Sequence, residues 1–227
     1  VSGVPMAERI AQRLRQRAPA DGPGAPGLDS VVGAAAAKLL VRASGTPLSE
    51  PVPVGLAARG DDLPVLVQQV LRQFELEQPW VLAGARTDAL DDAARAQIVG
   101  QLQARHRTEV QRGWLAVLAD LRLQPAATLP ALAEQAQLLA RPDSPLLALS
   151  AAVMRDVGAQ ASDEPIAALR SYALGQPAGG VGVHAVLGRA ATQLIALDDA
   201  LTRKATLPGI EALQQLGDAL PQVPEPL

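Results

Sequence analysis

Apolar residues, with one histidine among them, recur at nearly every fourth position through the middle of this chain. The row runs through Leu90, Ala94, Ile98, Leu102, His106, Val110, Trp114, Leu118 and Leu121. Positions i and i+4 share one face of an α-helix, whereas a strand alternates its side chains. We therefore predict one helix, about 50 Å long, from Asp88 until Pro125 stops it. A strict four-residue row winds slowly round a helix, so its two ends contact different neighbours.

The apolar residues of the chain are mostly alanine, leucine and valine. Hydrophobic residues make up 48% of the 227, but only 2% of the chain is aromatic. Alanine and leucine are among the residues least costly to place in helices, while β-branched and aromatic residues favour strands. Strand and helix signals do not alternate along the sequence, so an α/β sheet is not expected. The predicted fold is all-α, an irregular helical bundle with one long helix of about 30 residues, packed through small side chains.

The domain organisation is predicted to change near residue 60. Residues 1–60 read as a loosely structured N-terminal segment with a short helix over Met6 to Arg17, a Pro/Gly linker over 18–27 and an Ala-rich helix from Ser30 to Val41. Residues 61–227 read as a helical bundle domain of roughly six helices.

Capping residues predict where the later helices begin. Thr128 precedes a helix over Leu129 to Ala140, and Ser144 followed by Pro145 is a strong start signal, because the proline's missing N–H costs nothing at the first helical position. Gly158 stands where that helix should end. Further helices are predicted over 163–175, 183–204 and 210–220.

Composition excludes several classes of function. The net charge of −3 offers no broad cationic field for nucleic acid, and the absence of cysteine excludes disulfides and thiolate chemistry. No apolar stretch approaches the roughly 20 residues that span a bilayer. The first residues do not resemble a signal peptide, so we expect any membrane anchor or export signal to lie outside this chain.

Two glycine-rich segments fail as ligand-binding motifs. Gly33 to Lys38 lacks the second glycine and the Ser/Thr of a phosphate-binding loop. Gly180 to Ala185 matches a relaxed dinucleotide pattern, but no strand precedes it, so it reads as an interhelical loop.

Titratable residues form no complete catalytic set either. His106 lies in the apolar row and reads as structural, His184 has no identifiable partner, and the adjacent Asp198 and Asp199 point in different directions on a helix. We predict no catalytic, cofactor-binding or metal-ligating residues, and no small-molecule substrate. The apolar tripeptide Trp80, Val81 and Leu82, outside regular helix, is the candidate protein interface.

Several motifs occur in a fixed order. They are a Trp-Val-Leu-x-Gly turn (80–84), Trp114 followed by Leu-Ala-Asp-Leu with Asp120, the sequence Asp143, Ser144, Pro145, Leu146, and a Leu-Pro-x-x-Pro-Glu-Pro-Leu tail (220–227). From about Leu66 to the end, the chain resembles the C-terminal, periplasmic region of the IcmF/TssM family, subunits of the type VI secretion membrane complex.

The resemblance implies a structural scaffold and not an enzyme. It implies the periplasmic part of an inner-membrane protein, whose partners are other copies of itself, a TssJ-like outer-membrane lipoprotein and other secretion-complex subunits. It also implies no cofactor and no nucleic acid, and it gives the motif residues a structural role. Two alternatives stay open: a helical interaction or adaptor module of an unrelated bacterial system, and an enzyme acting on cell-wall material.

Overall fold

The computed structural model describes residues 6–17, 27–33, 35–52, 63–77, 92–158, 163–174 and 183–219. These residues form ten helices and two short strands, in the order α1 Met6–Arg17, α2 Leu28–Val32, α3 Ala36–Leu39, β1 Leu40–Arg42, α4 Leu63–Glu77, α5 Asp92–Asp120, β2 Leu121–Leu123, α6 Leu129–Ala140, α7 Pro145–Val157, α8 Glu164–Ala173, α9 Val183–Thr202, α10 Thr206–Ala219. The all-α prediction is confirmed, and α5, with 29 residues, is the predicted long helix.

The chain forms two compact units, each built from two stretches of sequence. The first unit contains Val1–Ala25 and Val52–Ala116, and the second contains Pro26–Pro51 and Val117–Leu227. The domain boundary that the sequence suggests at residue 60 stays a prediction, because residues 53–62 lie outside the described part of the chain.

The core of the first unit is made by α1, α4 and α5. Its buried residues are Ile10, Ala11, Leu14, Val67, Val70, Leu71, Ile98 and Leu102. The four-residue row of α5 accounts for this burial, since its members from Ile98 to Trp114 are all buried. The periodicity therefore predicted the buried face of the helix correctly.

An ion-pair network on α1 and α5 borders this core. Arg105 pairs with Glu8 of α1 and with Glu109 one turn further along α5, and Glu109 also pairs with Arg15. Burial alone would raise the pKa of Glu109, but hydrogen bonds from Arg105 and Arg15 outweigh it and lower that pKa. The network fixes the position of α1 along α5.

The second unit packs α6, α9 and α10 against one another through small side chains. Ala133 and Ala136 of α6 meet Ala191 and Leu194 of α9, and Leu216 of α10 packs against this cluster. The approach is close because small residues face each other; a Cβ added at Gly188 would lie 3.8 Å from the Cβ of Ala140. This agrees with the alanine-rich composition.

A two-stranded antiparallel ribbon was not predicted. β1 pairs with β2 in the register Leu40–Leu123, Val41–Arg122, Arg42–Leu121. The predicted helix from Ser30 to Val41 is therefore wrong. Helix α2 begins after Gly27 instead and ends at Val32. Gly33, whose φ of +82° favours glycine, follows it, and Leu40 begins a strand.

The ends of two other helices also differ from prediction. Helix α5 ends at Asp120 and not at Pro125, because residues 121–123 hydrogen-bond to β1. Helix α10 begins at Thr206, four residues before the predicted start at Ile210, since Pro208 is tolerated in the first turn.

The capping predictions for α6 and α7 are confirmed. Thr128 accepts a hydrogen bond from the Ala131 amide through its hydroxyl, and Ser144 accepts one from the Leu146 amide, both at 3.3 Å. Gly158 follows α7 with a φ of +88°.

Candidate functional site

Asp120 ends α5 and holds the loop that follows β1. Its carboxylate accepts hydrogen bonds from the Ser44 amide at 2.7 Å, the Ser44 hydroxyl at 2.7 Å and Arg42 Nε at 2.9 Å. Its backbone carbonyl also accepts the Ala43 amide. Hydrogen bonds from Ser44, and then from Arg42, lower the pKa of Asp120. Asp120 is therefore an anchor for the ribbon.

Trp114 and His106 are both core residues of the first unit. Trp114 is 2% exposed and His106 7%. An aromatic side chain of this size contributes strongly to the core through the apolar surface that it buries. Neither side chain is placed to contact a ligand or a partner surface.

Asp143 lies in the turn between α6 and α7, where it pairs with Arg141. Arg141 Nε and Nη2 each donate to one carboxylate oxygen at 2.8 Å, and this bidentate pair lowers the pKa of Asp143. Both side chains are exposed, so the pair orders the turn and adds little stability.

Ser144 is part of a buried hydrogen-bond chain centred on Tyr172 of α8. The Tyr172 hydroxyl donates to the Leu139 carbonyl at 2.6 Å. Because that uses the only hydroxyl hydrogen, Ser144 Oγ donates to the phenol oxygen at 3.0 Å, while its own lone pair accepts the Leu146 amide. Burial raises the pKa of Tyr172, and the Ser144 hydrogen bond opposes this only in part.

The two remaining residues of the motif complete the start of α7. Pro145 and Leu146 are both buried, with Pro145 at the first helical position. The Ser144–Tyr172 hydrogen bond thus joins the α7 N-terminus to α8, and Tyr172 joins both to the end of α6. The sequence identified Ser144, but not its partner 28 residues away.

His184, near the start of α9, contacts the C-terminal ends of two other helices. Its Nε2 lies 3.2 Å from the Tyr172 carbonyl of α8, and its Nδ1 lies 3.4 Å from the Leu139 carbonyl of α6. The carbonyls of a last helical turn have no intrahelical partner, and the negative end of the helix dipole favours a donor there. Whichever ring nitrogen carries the proton, the imidazole therefore donates to a helix end.

The cluster of Ser144, Tyr172 and His184 contains side chains found in catalytic sites, but its geometry is that of a structural cluster. A nucleophile and its base must share a hydrogen bond, whereas both ring nitrogens of His184 face backbone carbonyls. Ser144 is 1% exposed and Tyr172 2%. Their hydroxyls are occupied by partners inside the fold.

An open cavity of about 380 Å³ lies between α3, α6 and the segment before α6. The charged groups of its lining are Lys38 and Glu134, which pair with each other at 3.1 Å. Gln135 donates to the Gln124 carbonyl across the same wall. With its charges paired, this cavity offers no unmatched group that would select a ligand. Lys38, considered above for phosphate binding, is one of these paired groups.

The other candidate residues have structural placements or lie outside the described residues. Asp199 pairs with Arg203 one turn away on α9. Within the described ranges, no three His, Cys, Asp or Glu side chains are grouped as metal ligands. The tripeptide Trp80, Val81 and Leu82, the 80–84 turn, the 180–182 loop and the 220–227 tail fall outside the described residues.

No helix in the described part of the chain is long and apolar enough to cross a bilayer. The clusters around Asp120, Tyr172 and His184 link different elements of the second unit, and the Arg105 network links α1 to α5 in the first. The chain is an all-α protein whose polar side chains hold helices and a small ribbon together.

Comparison with known proteins then gives the family. Residues 1–158 match the IcmF-related family (intracellular multiplication and human macrophage-killing), and the chain belongs to that family. The match contains the motifs at Trp114, Asp120 and Asp143–Leu146, and it also includes the first 60 residues, where the sequence had shown no family motif.

A second comparison is with an individual protein. Over 167 residues the chain is 31% identical to the type VI secretion system component TssM1 of Pseudomonas aeruginosa. The aligned stretch covers 73% of this chain and 15% of the relative. The chain therefore corresponds to a small part of that protein's length. No solved structure matches this chain.

Proposed function

We propose that this chain is a non-enzymatic structural scaffold: the periplasmic helical part of a TssM-like type VI secretion membrane-complex protein. In this proposal it connects the inner-membrane anchor with an outer-membrane lipoprotein of the TssJ kind. The similarity to TssM1 over most of this chain carries the proposal. The use of Asp120, Ser144, Tyr172 and His184 for holding secondary structure supports it, because these side chains are committed to the fold.

A capture experiment tests this function. The 227-residue chain, tagged and exported to the periplasm of a strain with an active type VI system, should retain its parent protein and a secretion lipoprotein of the outer membrane. The matched control is Leu149→Asp, which places a charge at a fully buried position of α7 and should abolish capture by unfolding the chain.

Two results would contradict the scaffold role. In the first, the chain is expressed in the cytosol and captures only cytosolic proteins. This result would favour the adaptor module of an unrelated system. In the second, protease digests the region of the full-length protein that corresponds to this chain only after the inner membrane is opened. This result would contradict the periplasmic location. In the proposed topology, protease added to spheroplasts reaches that region directly.

Within the proposed scaffold, we propose the tripeptide Trp80, Val81 and Leu82 as a partner-binding segment. Its apolar side chains, in a stretch with no helical pattern, fit the aromatic-rich centre of a protein interface. Trp80→Ala combined with Leu82→Ala should reduce capture at least tenfold without changing the unfolding midpoint. Leu132→Ala, at an exposed leucine of α6, is the matched control and should capture normally.

A further inference from the structure

The imidazole of His184 has a hydrogen-bond acceptor at each of its ring nitrogens. Nε2 lies 3.2 Å from the Tyr172 carbonyl near the end of α8, and Nδ1 lies 3.4 Å from the Leu139 carbonyl near the end of α6. A neutral imidazole has one N–H and one lone pair, so it can donate to only one of these oxygens. An imidazolium has two N–H groups and can donate to both. The two acceptors therefore match the protonated ring.

The two carbonyls do not depend equally on the histidine. The Leu139 carbonyl also accepts the Tyr172 hydroxyl at 2.6 Å, so it keeps a partner when the imidazole does not donate to it. The Tyr172 carbonyl is the closer of the two to the ring. We therefore expect the neutral ring to keep its hydrogen on Nε2. The lone pair of Nδ1 then faces the Leu139 oxygen, and neither atom supplies a hydrogen.

Helix ends, and not an opposite charge, surround the ring. In the described part of the chain, the hydrogen bonds and the ring contact of His184 go to Leu139 and Tyr172. Residues 175–182, which precede α9, contain no ionisable side chain. The negative ends of the α6 and α8 dipoles are thus the groups that favour a cation at this position.

The ionisable side chains of the surrounding elements are engaged elsewhere or neutral. They are Glu134 of α6, Arg141 and Asp143 after it, Arg170 and Tyr172 of α8, Arg189 of α9 and Asp218 of α10. Glu134 pairs with Lys38, Arg141 with Asp143, and Arg170 donates to Met154. Arg189 and Asp218 have other interactions. Tyr172, whose ring centroid lies 4.7 Å from that of His184, has a raised pKa and stays neutral near pH 7.

We propose that His184 is a proton-sensitive clamp: its imidazolium ties the start of α9 to the ends of both α6 and α8, and loss of the proton releases the α6 end. The ring is half-buried, so its proton exchanges with solvent. The clamp does not depend on the scaffold function, because Leu139, Tyr172 and His184 all lie within the second unit. Its effect should appear around pH 6.5, where histidine side chains change charge.

Nitrogen NMR of the 227-residue chain tests the clamp directly. The chain has two histidines, and the signals of His184 are those that disappear in His184→Gln. At pH 5.5 both ring N–H hydrogens should be visible and protected from exchange with water, whereas at pH 7.5 only Nε2 should carry one. A ring that is neutral at pH 5.5, or that carries its hydrogen on Nδ1 at pH 7.5, would overturn the proposal.

The pH dependence of stability gives a second test. Glutamine keeps an N–H donor at position 184 but does not ionise. The folding equilibrium constant of the unsubstituted chain, divided by that of His184→Gln, should rise about fivefold from pH 7.5 to pH 5.5, because only the protonated ring donates to both helix ends. Titration of His106 and of the carboxylates is common to both proteins and cancels in this ratio.

The matched control is Thr192→Ala, at an exposed position two turns further along α9. It removes no ionisable group, so the same ratio measured for this variant should not change with pH. A ratio for His184→Gln that stays constant or falls as the pH is lowered would overturn the proposal. So would an equal rise in the Thr192→Ala control, since the pH effect would then not belong to His184.

Discussion

Asp120 and Ser44 are joined by two hydrogen bonds, one to the Ser44 amide and one to its hydroxyl, both 2.7 Å long. Ser44 lies 76 residues before Asp120, so a single carboxylate connects the end of the long helix to the loop after β1. Arg42 adds an ion pair to the carboxylate oxygen that also accepts the Ser44 hydroxyl. The ribbon thus depends on a residue that belongs to neither strand.

Substitution of Asp120 tests this dependence. Asp120→Asn keeps the shape of the side chain but replaces a charged acceptor with a neutral amide, so the hydrogen bonds from Ser44 and Arg42 weaken. The urea midpoint of unfolding should fall. The control is Asp199→Asn, whose partner Arg203 lies on the same exposed helix surface; its midpoint should fall less. Equal effects would mean that the ribbon does not depend on the Asp120 anchor.

Acid should destabilise the chain through the same carboxylate. The folded-state pKa of Asp120 is lowered, and that of Glu109 is lowered as well. A group with a depressed folded pKa contributes stability that is complete above its unfolded pKa, about 4 for these groups, and is lost as pH falls through the folded value. Urea midpoints measured from pH 6 downward should decline below about pH 5, and less steeply in Asp120→Asn. If the urea midpoints of both proteins decline in parallel, the pKa of Asp120 is not lowered in the folded chain.

Tyr172 should ionise at a higher pH in the folded chain than in the unfolded chain. It is the only tyrosine, so tyrosinate absorbance reports it alone. Burial raises its pKa, and a group of this kind loses its stabilising contribution as pH rises through the folded value. Absorbance titration in buffer should therefore give a midpoint above the value of about 10 that we expect in urea. Coincident midpoints would show that the phenol is exposed.

Removing the phenol hydroxyl should cost stability for a related reason. Tyr172→Phe deprives the Leu139 carbonyl of its shortest hydrogen bond and leaves Ser144 without its acceptor. We expect a loss of about 1–3 kcal/mol in the free energy of unfolding. Ser144→Ala in the same background should add less than it does alone, because the two hydroxyls share one hydrogen bond. Fully additive losses would show that the hydroxyls act separately.

Truncation of Trp114 tests its place in the core. Trp114→Ala should lower the free energy of unfolding by about 3–5 kcal/mol, because it removes a fully buried ring and leaves a cavity. Leu115→Ala, at the half-buried neighbouring position, should cost clearly less. Chemical denaturation of the three proteins provides the comparison. Near-normal stability of Trp114→Ala would make the ring a surface contact.

Local chemistry explains why some elements could be predicted from the sequence. Thr128 and Ser144 cap helices that follow directly, so a few neighbouring residues contain the whole signal. The buried row from Ile98 to Trp114 could be predicted because residues four positions apart lie on the same face of a helix.

The ribbon and the Tyr172 cluster could not be predicted in this way. Leu40 and Val41 extend an alanine-rich run that favours a helix, and their strand exists only because residues 121–123 pair with it. His184 binds carbonyls contributed by two other helices, which no local spacing reveals. In both cases the determining partner is distant in the chain, where propensity carries no information about pairing.

The second unit is built from two separate stretches of sequence, and this has a practical consequence for producing the protein. Residues 26–51 leave the ribosome long before Asp120 is made, so β1 has no strand partner during that interval. A shortened chain that starts at residue 61 lacks α1, α2, α3 and β1, so the first unit loses the core residues of α1 and the edge of β2 presents its unpaired amides and carbonyls to other molecules. Such a product should precipitate more readily than the whole chain.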